Sequence, residues 1–122
     1  MVNDKNSSLY YIDFSFDKQR LGGSAFAQML GKIGSDVPTV KNPEYFTDCF
    51  NAIQELIQKG WIMAGHDISA GGLITALLEM TFANTTGGMH VNLHDIMQED
   101  DDIVKILFAE NPGVVIQVSD RR

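Results

Sequence analysis

At 122 residues the chain suits one domain with a real core. Sixteen acidic against nine basic residues, a net charge of −7, disfavour a nucleic-acid partner, which wants a basic surface. No apolar run reaches the roughly 20 residues of a membrane helix, residues 1–8 lack the apolar stretch of a signal peptide, and the lone cysteine, Cys49, excludes an internal disulfide and suits a reducing cytoplasm.

Residues 1–8 are polar and expected to fray; 9–122 form the domain. Leu9–Phe14 is β-branched and aromatic and predicts the first strand, followed by the polar connection Asp17–Arg20. Leu21-Gly22-Gly23-Ser24-Ala25 opens a helix whose face would be Phe26, Met29 and Leu30. Its small residues suit either close approach of a ligand or tight packing on a neighbour. Asn42-Pro43-Glu44 is a helix start, and Gly60 a left-handed stop, for a helix over 43–59. Its apolar face reads Phe46, Phe50, Ile53 and Ile57, widened by Cys49, Ala52 and Leu56, which makes Cys49 a small buried hydrophobe.

Trp61–Ala64 predicts the second strand, Gly65–Gly72 a polar turn, and Leu73, Ala76, Leu77 and Met80 the inner face of the next helix. Met89–Leu93 alternates apolar and polar residues and predicts a half-exposed strand. The acidic run Glu99–Asp102 suits a helix start, because acids favour the positive end of the helix dipole. Four adjacent side chains on a helix cannot converge on one ion. Ile103, Ile106 and Leu107 follow as its apolar face, Glu110–Gly113 is a turn, and Val114–Val118 is the last strand. The order β-α-α-β-α-β-α-β implies an α/β (α+β) fold, a mixed sheet flanked by amphipathic helices. The short tail after the last strand reads as a segment of a longer chain.

The chemistry concentrates at Gly65-His66-Asp67-Ile68-Ser69-Ala70-Gly71-Gly72. A strand running into a helix start directs N–H groups and the positive dipole end at one place, which suits a phosphate. Asp67 could hold a hard cation through a carboxylate oxygen, and Ser69 reads as the helix N-cap or a phosphate contact. The alternatives for Asp67 and His66 are a turn carboxylate and a hydrogen-bonded structural histidine. His90 and His94 are four apart in a stretch that reads as extended, where that spacing is too long for one metal.

Leu21–Gln28, then Gly65-His66-Asp67-Ile68-Ser69-Ala70-Gly71-Gly72-Leu73, then Leu78-Glu79-Met80, resembles the C-terminal domain of the AIR-synthetase-related superfamily. Together with Asn51–Leu56 and Glu110–Val118, it is most similar to the second such domain in the long, fused form of the phosphoribosylformylglycinamidine synthase family. That resemblance, over roughly 9–118, implies an AIR synthetase C-terminal-domain-like fold. It also implies a share in an ATP-dependent ligase of purine biosynthesis that takes ammonia from glutamine. By motif, Asp67 would be a magnesium ligand, Ser69 a nucleotide contact with Gly71 and Gly72 beside it, and His66 a support for the turn. Many relatives have Asp where Ala70 stands, so no polar role passes to that position. The cofactors implied are Mg2+ and ATP or ADP, in a site shared with the remaining synthetase domains; a glutaminase domain lies elsewhere in the polypeptide. No membrane or nucleic acid enters, and the isolated segment is expected to be inactive and able to form a homodimer through apolar surface. The other readings are a non-catalytic packing module and another superfamily member, such as a selenophosphate synthetase or thiamine-monophosphate kinase.

Overall fold

The computed structural model describes residues 1–97 and 102–121. Its elements are β1 (Ser7–Asp13), α1 (Ala25–Met29), α2 (Pro43–Gln58), β2 (Ile62–Asp67), α3 (Gly72–Thr81), α4 (His94–Met97), α5 (Ile103–Phe108) and β3 (Gly113–Ser119). Among the described residues the sheet has three strands in the order β1-β3-β2. β3, rich in Val and Ile, lies between the other two and runs antiparallel to both. Met63 is the extra residue of a bulge in β2, between Ile62 and Ala64.

Residue alternation along the strands sorts the core into two layers. Val115 of β3 joins Ile68, Leu73, Ala76, Met80 and Ile106 under α3 and α5, with Leu9, Tyr11 and Ala64 against them. Ile116 joins Phe14 and Ile53 under α2, with Ile12, Ile62, Val114 and Val118. The sheet is thus covered on both faces, and the α/β class expected from the sequence holds.

Three details of the expected organisation are corrected. Met89–Leu93 forms no strand, so the order is β-α-α-β-α-α-α-β. Met89 and Leu93 do turn towards the core, but Val91 between them is exposed, and the stretch runs beside residues 1–9 without a ladder partner. It then enters α4, where Asn92 Oδ1 accepts from the His94 N–H at 2.9 Å. The sheet is also antiparallel throughout rather than mixed, because β3 returns between β1 and β2. The segment expected to fray is tied down as well. Ser7 and Ser8 belong to β1, and buried Gln117 exchanges two hydrogen bonds with the Val2 backbone, at 2.8 and 2.7 Å.

The helices follow their signals in outline. Asn42 caps α2 by accepting from the Tyr45 N–H at 3.1 Å. At its other end Trp61 N–H bonds to the Leu56 carbonyl and Gly60 N–H to that of Ile57, the paired closure of a helix that stops on a left-handed glycine. The inward stripe is Phe46, Cys49, Ile53 and Leu56, whereas Phe50 and Ile57 are exposed, half a face away from the expected phase. On α1 only Phe26 and Ala27 face inward; Met29 and Leu30 are exposed. Asp102 caps α5, accepting from the Val104 and Lys105 N–H groups, which is the role expected of the acidic run. Glu99, Asp100 and Asp101 lie outside the described residues.

The long connection from β1 to α2 is organised by Asp17, whose side chain is 0% exposed. Its carboxylate meets Arg20 Nε at 2.9 Å and Lys41 Nζ at 3.0 Å, and accepts from the Lys18 N–H at 2.8 Å. The Arg20 guanidinium foremost, with Lys41 and the Lys18 N–H, holds its pKa well below the ordinary carboxylate value against the opposing effect of burial. A depressed carboxylate pKa adds stability that is present above the unfolded value and lost as pH falls through the folded one. Asp17→Asn should therefore cost about 2 kcal/mol near neutrality. In urea melts at a series of pH values, the gap to wild type should narrow below about pH 4. A gap independent of pH would mean that the carboxylate charge is not what holds the loop.

Candidate functional site

The glycine turn is built by the end of β2 and the start of α3. β2 runs three residues further than its apolar run predicts, so His66 and Asp67 lie on the strand, opposite Val115 and Val114. Adjacent strand residues start towards opposite faces, but the His66 ring turns back so that its Nδ1 lies 3.6 Å from Asp67 Oδ1. The Asp67 side chain is 75% exposed and faces solvent. His66 turns towards α3, with Nε2 2.7 Å from Glu79 Oε2 and Nδ1 2.5 Å from the Asp67 carbonyl oxygen. The Asp67 carbonyl oxygen can only accept, so Nδ1 donates to it, while Nε2 and Glu79 Oε2 share a proton across their contact. The Asp67 carbonyl first, and Glu79 after it, raise the His66 pKa against partial burial. His66 ties the strand end to α3, as the structural reading of it expected.

Ile68 then closes the strand end, its N–H donating to the Gly113 carbonyl at 2.8 Å and its side chain entering the core. Ser69 and Ala70 are exposed. Ser69 is not the N-cap. That position falls to Gly71, because Gly71 and Gly72 both take positive φ, +93° and +77°, and redirect the chain before the helix begins. Ser69 serves the turn through its carbonyl, which accepts from the Gly72 N–H at 3.0 Å. Gly72 is buried so closely against α5 that an added Cβ would lie 2.7 Å from the Phe108 carbonyl carbon.

The second glycine motif meets this turn. In Leu21–Ala25, Gly22 abuts the Asp36 backbone, where a Cβ would be 2.5 Å from its oxygen. Ser24 is buried and caps α1, accepting from the Ala27 N–H at 3.1 Å. Of the two readings open for this motif, the observed contacts are those of tight packing.

Between the two motifs stands a residue that sequence reasoning missed. Glu110, in the connection from α5 to β3, accepts through Oε2 from both the Gly71 N–H and the Ala25 N–H, each at 2.9 Å. The anion at the phosphate-friendly helix start is thus the chain's own carboxylate. Next to it Asn111 is fully buried, and on the other side Phe108 stacks on Phe26 with ring centroids 4.7 Å apart. One acid before Asn-Pro-Gly carries no periodic signal, and its partners lie 39 and 85 residues away, so only the fold reveals it.

Among the described residues no group of three or more His, Cys, Asp and Glu side chains could hold a metal ion, and His90 and His94 take no part in one. Asp67 fits a hard cation as a single exposed carboxylate oxygen donor. The Ser69 hydroxyl is accessible, whereas the Gly71 N–H is engaged by Glu110. A cleft of about 720 Å³ lies elsewhere, lined by Tyr11, Phe16, Lys18, Lys41, Tyr45 and Asp95 among others, and none of its lining residues belongs to 65–72. No helix among the described residues is long and apolar enough to cross a membrane.

Comparison with known proteins identifies the family. Residues 11–121 match the family described as AIR synthase related protein, C-terminal domain. The chain is 40% identical over 111 residues to an Arabidopsis thaliana protein named probable phosphoribosylformylglycinamidine synthase, chloroplastic/mitochondrial, covering 91% of this chain and 8% of that one. It is 41% identical over 119 residues to a probable phosphoribosylformylglycinamidine synthase of Caenorhabditis elegans, covering 88% and 9%. It is 38% identical over 112 residues to the human phosphoribosylformylglycinamidine synthase, covering 92% and 8%. The chain therefore spans less than a tenth of the length of these relatives.

Proposed function

The chain belongs to the AIR synthase related family, as a C-terminal domain of that type, and from that premise we propose that it is a segment of the ATP-dependent synthetase part of a phosphoribosylformylglycinamidine synthase. In that role it serves a ligase of purine biosynthesis that makes formylglycinamidine ribonucleotide from formylglycinamide ribonucleotide, glutamine and ATP. Asp67 ligates magnesium, Ser69 contacts the nucleotide, Gly71 lets phosphate approach the backbone in place of Glu110, and Gly72 supports that cofactor-binding turn from its seat on α5. The remaining synthetase domains supply the other ligands, and a glutaminase domain supplies ammonia. A bound magnesium ion neutralises phosphate charge and orients its oxygens.

The observation that carries this reading is the solvent-facing Asp67 carboxylate at the end of the strand that leads into the Gly71-Gly72 turn. One carboxylate makes an incomplete site, which suits a segment whose relatives are more than ten times its length. In the full-length protein, Asp67→Asn is expected to lower magnesium or nucleotide affinity by about tenfold or more, at least the loss seen when a ligand's supporting partners are removed. Metal analysis and nucleotide retention after gel filtration measure it. Unchanged occupancy would remove Asp67 as a ligand.

A second reading, a non-catalytic packing module, is favoured by Glu110, which already fills the place of an anion at Gly71. Nucleotide-free full-length protein with the same turn conformation would support it.

A further inference from the structure

We propose that Glu110 is a positioning residue whose carboxylate clasps the two glycine turns into one unit and competes with phosphate for the Gly71 N–H. A single oxygen accepts from Gly71 at the start of α3 and from Ala25 at the start of α1. A carboxylate is well placed there, because it satisfies two backbone donors and meets the positive end of α3. The segment that carries Glu110 is anchored on both sides. Phe108 is fixed by its stack on Phe26 and by the close approach of Gly72. Asn111 is fixed by hydrogen bonds to Ser15, Lys18 and Arg20.

Two consequences follow from the shared oxygen. Losing the carboxylate frees both turns together, although they are far apart in sequence. An anion can use the Gly71 N–H only when Glu110 withdraws, and withdrawal releases Ala25 too. This competition rests on the nucleotide reading above; the clasp does not.

Hydrogen exchange on the full-length protein, resolved to single residues by mass spectrometry, tests both parts. In Glu110→Ala the Ala25 and Gly71 amides should exchange about tenfold faster or more, with Ile116 in β3 unchanged. Glu110→Gln keeps one carbonyl acceptor and should restore part of the protection. If either amide keeps its wild-type rate in Glu110→Ala, the clasp is overturned. Saturating Mg-ATP should deprotect Ala25 in the wild type, and Mg-ATP should bind Glu110→Gln several-fold more tightly than wild type. If Mg-ATP binds with Ala25 still protected, competition is overturned while the nucleotide reading stands. If Mg-ATP binds none of the three proteins, the nucleotide reading and the competition fall together, and the exchange rates alone decide the clasp.

Discussion

Gly72→Ala is expected to lower folding stability by about 3–5 kcal/mol, read as a drop in the urea midpoint at unchanged slope. Two costs combine. At φ +77° an alanine side chain is strained whatever the space around it. The new methyl would also lie 2.7 Å from the Phe108 carbonyl carbon and 2.8 Å from both the Leu107 oxygen and the Phe108 Cα. These are backbone atoms, so no side-chain rotation relieves the overlap, and α5 must move away from α3. That movement would disturb the buried Ile106, the Phe26–Phe108 stack and the approach of Glu110 to Gly71. Gly71→Ala is the matched comparison. It carries similar strain, at φ +93°, but the nearest atoms its methyl meets are those of the Thr75 side chain, with Cβ at 2.8 Å, rather than the backbone of another element. Gly72→Ala should be the worse by about 2 kcal/mol, the part due to backbone overlap. Equal losses would show that α5 moves freely and that the close approach is not what holds the glycine there.

Elements set by local chemistry were legible in the sequence. Asn42-Pro43-Glu44 and Gly60 bound α2 as their chemistry dictates, and the apolar spacing of Leu73, Ala76 and Met80 marks the buried side of α3. What failed depends on distant partners. Met89–Leu93 alternates like a strand, but alternation fits any extended segment, and a strand also needs a ladder neighbour. The stripe of α2 was misphased because its apolar residues span nearly half of the helix, and only the position of Phe14 and Ile116 selects Phe46, Cys49, Ile53 and Leu56. Ser69 had the residue type of an N-cap, yet two left-handed glycines after it move the helix start on by two residues. The glycine motif itself was visible as an anion-friendly turn. That its anion comes from Glu110 was not, since nothing near position 110 in the sequence points to residues 25 and 71.

Asn111→Ala should cost about 3–4 kcal/mol, because it removes the hub on which the β1–α1 connection hangs. Asn111 is 0% exposed and satisfies groups from three residues. Its Nδ2 donates to Ser15 Oγ at 3.2 Å and to the Lys18 carbonyl at 3.0 Å, while its Oδ1 accepts from the Arg20 N–H at 3.3 Å. Ser15 retains its bond to Asp13 Oδ1 after the truncation, but the Lys18 carbonyl and the Arg20 N–H lose these partners. Leaving such groups unmatched costs more than the bonds were worth, which is why the loss exceeds that of a cavity the size of an amide. Asn111→Asp separates hydrogen bonding from packing, since it keeps the shape and the acceptor for Arg20 but turns the donor into an oxygen facing Ser15 and Lys18. A buried carboxylate against acceptors has its folded pKa raised, so the variant should be most stable, relative to wild type, at low pH and lose that stability as pH rises. Faster exchange of the Arg20 amide in Asn111→Ala, with slow exchange kept in Asn111→Asp, would place the effect at this junction. If Asn111→Asp matches wild type at neutral pH, the Nδ2 donor does not hold the loop, and the stability of the connection rests on Asp17 instead.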